Sequence, residues 1–323
     1  MTSHISSPTA RPRQPWRRVD GVLLLDKPLG ISSQAAVTRA KYLLLAAKAG
    51  HTGTLDPMAS GLLPICFGEA TKFSHMLLNS DKSYSAIVKL GVVTTTGDME
   101  GEVTARADVR VAREEAESVL RHFQGDIMQT PPMYSALKHE GQPLYKHARA
   151  GRELTRAPRP VRIMKIELVG LERDELEIRV RCGKGTYIRV LAEDIGRALG
   201  CGACLAGLRR TAVGEFQLER GAVTLEDLQQ LSQHEREALL LPVDVLVATL
   251  PRIDLGPVEM RQIVTGQEVE CPDAPDAELA RIYGPGRDFL GVVEIRAPYR
   301  IAARRLMAQG PMPGLAGLKL RSG

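Results

Sequence analysis

Asp56 is the residue whose neighbours in the sequence most clearly indicate a chemical role. It lies in residues 50–57, GHTGTLDP, between two apolar segments. The glycines allow backbone conformations that other residues resist, and Pro57 forces the preceding aspartate out of the α region. The carboxylate is therefore positioned by a turn, and a positioned carboxylate can act as a nucleophile or a general base. The alternative interpretation is an Asp-Pro surface turn with a polar histidine nearby.

Three other spacings have chemical precedents but do not complete a site. Cys201 and Cys204 have the spacing of half a zinc site, but no second pair of ligands follows. Residues 183–185, GKG, lack both the first glycine and the Ser or Thr of a phosphate-binding loop. The HE pair at 234–235 begins a metalloprotease pattern that fails at Ala238. We therefore expect no metal and no cofactor.

Six short blocks follow one another along the chain. They are residues 21–28 (GVLLLDKP), 50–64 (GHTGTLDPMASGLLP), 68–72 (GEATK), 131–138 (PPMYSALK), 183–189 (GKGTYIR) and 208–211 (LRRT). Together they resemble the motifs of the TruB family of tRNA pseudouridine synthases, in its bacterial form. The resemblance extends over residues 20–306 and includes the turn that carries Asp56.

The resemblance implies a role for several residues. Asp56 matches the catalytic aspartate of the family, and Arg189 matches the arginine that pairs with it. Such an ion pair would fix the orientation of the carboxylate in a pocket that holds little water. Tyr84 matches the residue on which the target base stacks. The other implied substrate contacts are His51, Tyr187 and Leu208.

The residues alone leave other interpretations open for two of these positions. Tyr84 begins an alternating apolar pattern over residues 84–90, which predicts a strand. A tyrosine at the start of that strand could equally lie at the edge of the core. Arg189 could be an ordinary surface arginine.

The implied reaction is the isomerisation of uridine 55 in the T-loop of tRNA. The C1′–N1 glycosidic bond breaks, the uracil turns and C5 joins C1′, with Asp56 as nucleophile or base. Enzymes that hydrolyse glycosidic bonds usually need two flanking carboxylates, whereas this sequence strongly positions one. Because the target base lies inside a folded loop, it must be flipped out, and His51 would occupy the gap.

The charge of the chain favours a polyanionic partner. Its 323 residues include 43 Lys and Arg against 38 Asp and Glu, giving a net charge of +5. The resemblance implies an RNA-gripping insertion at residues 130–160, a stretch that is rich in basic residues and that could follow a phosphate backbone. The alternative is a solvated basic loop. The candidate contacts with the tRNA backbone are Lys27, Lys138, Arg149, Arg152 and Arg156.

We predict an α+β protein. Strands mixed with helices, without a regular βαβ repeat, favour this class, and the resemblance implies a large mixed, mainly antiparallel sheet flanked by helices. The catalytic domain is predicted over residues 20–249. Glycines and prolines break the apolar runs over residues 250–310, which predicts a small β-rich domain resembling the RNA-binding PUA domain. The composition of residues 1–19 predicts a disordered basic tail, and we expect a second tail at residues 311–323.

Two helices are placed by their apolar residues. Ser32 or Ser33 can cap a helix whose apolar stripe includes Val37 and Ala47 and which ends at Gly50, just before the turn of Asp56. Residues 226–241 have the pattern of one further helix.

The composition also predicts where the protein acts. No segment approaches the apolar length of a membrane span, and five cysteines without a signal peptide favour a reducing compartment. We therefore expect a cytoplasmic monomer that acts on the T-arm of tRNA without a membrane or an obligatory protein partner.

Two other functions stay open at this point. The first is a guide-RNA-dependent pseudouridine synthase, which needs partner proteins; the basic insertion and the bacterial-type residues Thr52 and Met58 argue against it. The second is a non-catalytic protein that binds or folds tRNA. The intact set of Asp56, Tyr84 and Arg189 argues against that second function.

Overall fold

The computed structural model describes residues 15–135, 137–152 and 154–308. The predicted tail at 311–323 lies outside these residues, as do the first fourteen residues of the predicted tail at 1–19. The last five residues of the predicted tail at 1–19, residues 15–19, contact the folded chain. The Arg17 N–H donates to the Leu45 carbonyl at 2.7 Å, and Val19 is buried.

Eighteen strands and eight α-helices are formed by the described residues. The strands are β1 Gly21–Lys27, β2 Ala49–His51, β3 Ala59–Phe67, β4 Lys82–Leu90, β5 Val92–Thr94, β6 Val103–Arg106, β7 Gly125–Gln129, β8 Lys138–His139, β9 Gln142–Pro143, β10 Arg159–Glu172, β11 Glu175–Cys182, β12 Ala203–Val213, β13 Phe216–Gln217, β14 Arg252–Asp254, β15 Val269–Glu270, β16 Leu279–Tyr283, β17 Phe289–Arg296 and β18 Arg300–Leu306. The helices are α1 Ser33–Leu43, α2 Ser74–Leu78, α3 Arg113–His122, α4 Leu144–Arg149, α5 Ile188–Ala198, α6 Leu225–Gln230, α7 Gln233–Ala238 and α8 Pro257–Val264. In this part of the chain no helix combines the length and the apolar character that crossing a membrane requires.

Nine strands form the main sheet. Their order is β1-β3-β12-β4-β11-β10-β7, with β2 paired to β3 and β13 paired to β12. Strands β3 and β12 are parallel, and the other pairs of this sheet are antiparallel. The predicted α+β class with a mixed, mainly antiparallel sheet is therefore confirmed.

Two clusters of buried side chains pack on this sheet. One cluster joins β4, β10 and β11 with α3 and α5. The other joins β1 and β3 with α1 and α6. Met58, Tyr84 and Leu208 pack against both clusters, so the neighbourhood of the Asp56 turn lies where the two clusters meet.

Five strands form a second sheet in the C-terminal part of the chain. Their order is β14-β16-β17-β18-β15, and α8 packs on them through Ile263. This sheet is fastened to the rest of the protein, because the Phe73 and Phe289 ring centroids lie 5.4 Å apart and the Tyr283 hydroxyl donates to Asp244 at 2.6 Å.

The helix that precedes the Asp56 turn begins as predicted but ends earlier. The Ser32 hydroxyl caps α1 by accepting from the Ala35 N–H at 3.1 Å. The helix ends at Leu43 rather than at Gly50, because Leu45 takes a left-handed conformation with φ +52° and turns the chain toward the sheet. Ala47, predicted to lie on the apolar stripe, is consequently exposed.

The single helix predicted over residues 226–241 is wrong. Two short helices, α6 and α7, occupy this range. Ser232 lies between them in an extended conformation and caps α7, since its hydroxyl accepts from the Glu235 N–H while the Glu235 side chain accepts from the Ser232 N–H. A capping box inside an apolar helical pattern therefore ended one helix and began another.

Candidate active site

The turn between β2 and β3 is fastened on both sides of Asp56. The Ser33 hydroxyl, at the start of α1, donates to the Leu55 carbonyl at 2.8 Å and accepts from the Leu55 N–H at 2.7 Å. On the other side, the Gly30 N–H donates to the Pro57 carbonyl at 2.8 Å. The Asp56 side chain keeps 38% of its surface exposed. A fixed backbone thus presents an accessible carboxylate.

Arg189 provides the cation that faces this carboxylate. Its Nη2 lies 3.1 Å from Asp56 Oδ2 and also donates to the Tyr134 carbonyl at 2.6 Å. Its Nη1 donates to the Thr96 carbonyl at 3.3 Å. The Arg189 side chain is only 7% exposed, so its burial and these bonds together hold the guanidinium in one place. The structure therefore brings together the two residues expected to pair.

Asp98 is a second acid of this site, and the sequence interpretation missed it. Its Oδ2 lies 3.6 Å from Arg189 Nη1, and its side chain is 4% exposed. Its Oδ1 accepts from the Thr96 hydroxyl at 2.5 Å and from the Glu100 N–H at 3.1 Å. A Gly-Asp pair in sequence indicates a surface turn, so nothing in the local pattern marks this carboxylate as buried.

The Asp56 carboxylate faces a cavity of about 360 Å³. The expected substrate contacts Tyr84, Tyr187 and Leu208 line this cavity together with Asp56 and Arg189. Further lining residues are Gly53, Thr54, Leu55, Leu78, Lys82, Tyr134, Ser135, Gly183, Gly185, Thr186, Ile188 and Arg210. The cavity thus combines aromatic and apolar walls with one accessible acid, an arrangement suited to a planar polar ring.

Burial raises the pKa of the hydroxyls of both aromatic wall residues, Tyr84 and Tyr187. Both hydroxyls are therefore protonated near neutral pH.

His51 lies at the end of β2 and is not among the residues that line the cavity. Its Nδ1 accepts from the Gly53 N–H at 3.3 Å. Burial, and next the positive charge of Arg210, lower the pKa of His51, so its imidazole is neutral at pH 7. A neutral ring beside the turn can stack or hydrogen-bond without adding charge.

Arg210 is the second functional candidate that the sequence interpretation missed. It is 1% exposed, and its Nε donates to the Leu62 carbonyl at 2.7 Å. Its two terminal nitrogens donate to the carbonyls of Gly53, at 3.2 Å, and Thr54, at 3.5 Å. Nothing in the local pattern of residues 208–211 distinguishes Arg210 from Arg209, and only the pairing of β12 with β3 brings Arg210 to the turn.

From the sequence we expected Lys27 to contact a phosphate group. The structure does not give it an exposed ammonium. It is buried, and its Nζ donates to the Pro28 carbonyl at 2.8 Å and the Ile31 carbonyl at 2.7 Å. Burial lowers its pKa to about 8. In this structure Lys27 anchors the loop between β1 and α1.

The remaining candidates for backbone contacts lie in the insertion at 130–160. The side chains of Lys138 and Arg149 lie outside the described part of the structure. Arg152 is exposed. Arg156 is half-buried and donates to the carbonyls of Leu154 and Pro131, both at 3.1 Å. Of the last two, Arg152 is the one available to a phosphate.

The cysteine pair at 201 and 204 consists of two buried free thiols. Within the described residues, no group of three or more His, Cys, Asp or Glu side chains is arranged to hold a metal ion.

Three family models match consecutive parts of the chain. Residues 41–188 match the N-terminal domain of TruB family pseudouridylate synthases. Residues 189–248 match the C-terminal domain of tRNA pseudouridylate synthase B, and residues 251–307 match the C-terminal region of pseudouridine synthase II TruB.

Curated relatives match almost the whole chain. The tRNA pseudouridine synthase B of Methylobacillus flagellatus is 54% identical over 91% of this chain and 97% of its own length. That of Azoarcus sp. is 56% identical over 87% of this chain and 92% of its own length.

Solved structures share the fold. A Cbf5-Nop10-Gar1 complex contains a chain that is 26% identical, with a TM-score of 0.66 over 90% of this chain and 84% of that one. An H/ACA RNP bound to a substrate RNA containing 2′-deoxyuridine contains a chain that is 24% identical, with a TM-score of 0.69 over 90% and 85%, which shows the fold alone.

Proposed function

Because this chain belongs to the TruB family of pseudouridine synthases, we propose that it isomerises uridine 55 in the T-loop of tRNA to pseudouridine. The observation that carries the proposal is the placement of Asp56. Its partly exposed carboxylate faces an aromatic cavity and lies 3.1 Å from the buried guanidinium of Arg189.

The reaction leaves the composition of the nucleotide unchanged. The C1′–N1 bond breaks, the uracil turns, C5 bonds to C1′, and the proton lost from C5 is balanced by the proton gained at N1. Asp56 acts as the nucleophile or the base in this sequence. Arg189 keeps that carboxylate oriented toward the cavity through the ion pair at 3.1 Å.

The walls of the cavity hold the uracil while it is detached. Tyr84 provides a flat surface for stacking, and Tyr187 and Leu208 close the cavity around the ring. A cavity of about 360 Å³ accepts one pyrimidine nucleoside, and it confines the base during its rotation.

The uridine must leave the stacked T-loop to reach Asp56, because its reacting atoms are inaccessible inside the folded loop. His51 lies on the same turn but outside the cavity, with a neutral ring. We assign it to the space that the flipped base leaves in the T-loop. Arg152, exposed in the insertion, contacts the tRNA backbone, as do Lys138 and Arg149 of the same insertion.

A guide-RNA-dependent synthase is the second candidate, since chains with this fold occur in the H/ACA RNP and Cbf5 structures. We favour the stand-alone enzyme because relatives above 50% identity over nearly the whole chain are curated as tRNA pseudouridine synthase B. We further propose that it works in the cytoplasm as a monomer, without a protein partner or a cofactor.

A bare T-arm hairpin incubated with this protein alone tests the proposal. Tritium release from 5-tritiated uridine in the hairpin measures the reaction, and a hairpin with cytidine at position 55 is the control. Release from the uridine hairpin only is the expected result. Release that requires a guide RNA and partner proteins would establish the second candidate, and binding without release would establish a non-catalytic tRNA-binding or tRNA-folding protein.

A further inference from the structure

Arg210 is a buried cation that the mechanism described above does not use. It is 1% exposed, and no ion pair between the described residues includes it. A buried guanidinium without a carboxylate partner is unfavourable unless its N–H groups find other acceptors. The acceptors of the Arg210 guanidinium are backbone carbonyls, those of Leu62, Gly53 and Thr54.

The Arg210 side chain lies between the two parts of the site that must face each other. Its terminal nitrogens donate to the carbonyls of Gly53 and Thr54, which precede Asp56 in the turn. Its side chain lies beside Tyr84, its pairing partner on β4, and both residues line the same cavity. One rigid group thus connects the turn of the carboxylate with the aromatic wall.

The sheet places Arg210 between these two parts. It lies on β12, where it pairs with Tyr84 of β4 on one side and with Gly61 of β3 on the other. A Cβ atom on Gly61 would lie 2.3 Å from the Arg210 carbonyl oxygen, so the two strands meet closely at this point. Arg210 is consequently fixed at its backbone as well as at its guanidinium.

The chemistry of the two groups decides the direction of a hydrogen bond between Arg210 and Tyr84. A guanidinium has no acceptor, so it can only donate to the Tyr84 oxygen. The Tyr84 O–H is then directed away from Arg210, and Tyr84 lines the cavity. Its proton is therefore available to a ligand in that cavity.

We propose that Arg210 is a positioning residue for the isomerisation, which fixes the Gly53–Asp56 turn and directs the Tyr84 hydroxyl toward the flipped uracil. This inference rests on the proposed function. The spacing between the carboxylate and the base, and the direction of the Tyr84 O–H, then depend on a side chain that acts through the turn and through Tyr84.

The test compares Arg210→Lys with the wild type in single-turnover reactions on tRNA. Lysine keeps the charge but lacks the planar fork of donors. We expect the rate constant to fall about 100-fold, as it does when reacting groups are slightly misplaced, while tRNA affinity stays unchanged. Arg209→Met is the matched control, because Arg209 pairs with Asp26 and does not line the cavity. It should keep the wild-type rate constant.

A double-mutant cycle with Tyr84→Phe separates positioning from a general loss of stability. If Arg210 acts through the Tyr84 hydroxyl, Arg210→Lys slows the Tyr84→Phe enzyme much less than it slows the wild type. A role in stability alone reduces the amplitude of the reaction and gives additive effects. Additive losses, or a wild-type rate constant in Arg210→Lys, would overturn the proposal.

Nitrogen NMR of the arginine side chains covers the case in which Arg210→Lys does not fold, because it leaves Arg210 in place. The signals of the buried guanidinium should shift in Tyr84→Phe, which lacks the accepting oxygen. Unchanged signals would contradict the proposal. The proposed function fails separately, if the wild type releases no tritium from the T-arm hairpin.

Discussion

The Arg189 guanidinium lies 3.6 Å from the buried carboxylate of Asp98, so the cation that faces the Asp56 turn is itself held by a second acid. The side chains are 7% and 4% exposed. The Asp56 carboxylate is the accessible member of this group of three, and the other two members fix its surroundings.

Asp56→Asn should abolish the isomerisation and leave tRNA binding nearly intact. Binding depends on many phosphate and shape contacts, whereas the chemistry depends on one carboxylate. We expect the rate to fall at least about 1,000-fold, as for removal of a nucleophile. Tritium release from 5-tritiated tRNA measures the rate, and Asp81→Asn, an exposed acid paired with Arg181, is the control. Appreciable turnover in Asp56→Asn would show that another group is catalytic.

Asp98→Asn should lower both stability and turnover. Asparagine has a similar shape but leaves Arg189 with one buried acid fewer. Breaking a buried pair from one side costs about 3 kcal/mol, and urea unfolding measures this loss. The single-turnover rate should also fall, because Arg189 is then less firmly oriented. A variant with reduced stability but an unchanged rate constant would limit Asp98 to a structural role.

His51→Ala and Tyr84→Phe should affect different steps. His51→Ala leaves the vacated stack unfilled, so capture of the flipped uridine should slow. Tyr84→Phe keeps the stacking ring and loses only the hydroxyl, so tRNA should bind almost normally while the chemical step slows. A fluorescent base in the T-loop, followed in single-turnover mixing, resolves the two steps. Normal flipping in His51→Ala would leave His51 as a polar turn residue, and normal turnover in Tyr84→Phe would leave Tyr84 as a stacking surface.

Arg152→Ala should weaken tRNA binding and reduce the salt dependence of that binding, whereas Arg156→Ala should change the salt dependence less. Arg152 is exposed, and Arg156 is occupied by two backbone carbonyls. Each lost phosphate contact reduces the slope of log affinity against log salt by about 1. Equilibrium binding at several salt concentrations tests both variants. Equal slopes for the wild type and Arg152→Ala would show that Arg152 faces solvent in the complex.

Lys27 should make stability rise with pH above about 8. Burial lowers its pKa to about 8 in the folded protein, below the ordinary value of 10.5 that the unfolded chain keeps. Between these values the unfolded chain binds more protons, so the free energy of unfolding increases with pH, by up to about 1.4 kcal/mol per pH unit. Urea unfolding at several pH values, for the wild type and Lys27→Met, measures the difference. Parallel curves would show that Lys27 keeps its ordinary pKa when folded.

Part of this site could be predicted from the sequence, because its signals are local. The turn of Asp56 has its own glycines and proline, and the alternation after Tyr84 predicts β4, which the structure confirms. Asp98 and Arg210 have no such signal. Their roles arise from strand pairing between distant segments, such as β12 with β3, and a local pattern cannot specify which residues a sheet places side by side. The end of α1 was misplaced for a similar reason, since contacts with the sheet, rather than the apolar stripe, decide where that helix stops.

Gly61 shows how far the demands of the site reach beyond the residues that line it. A methyl group there would collide with the backbone of Arg210, and Gly61 also has φ +100°, a conformation that other residues rarely adopt. Gly61→Ala would therefore push apart β3, which follows the Asp56 turn, and β12, which carries Arg210. In a genetic selection for loss of tRNA modification, replacements at position 61 should be recovered beside those at Asp56, even though no atom of residue 61 needs to meet the RNA.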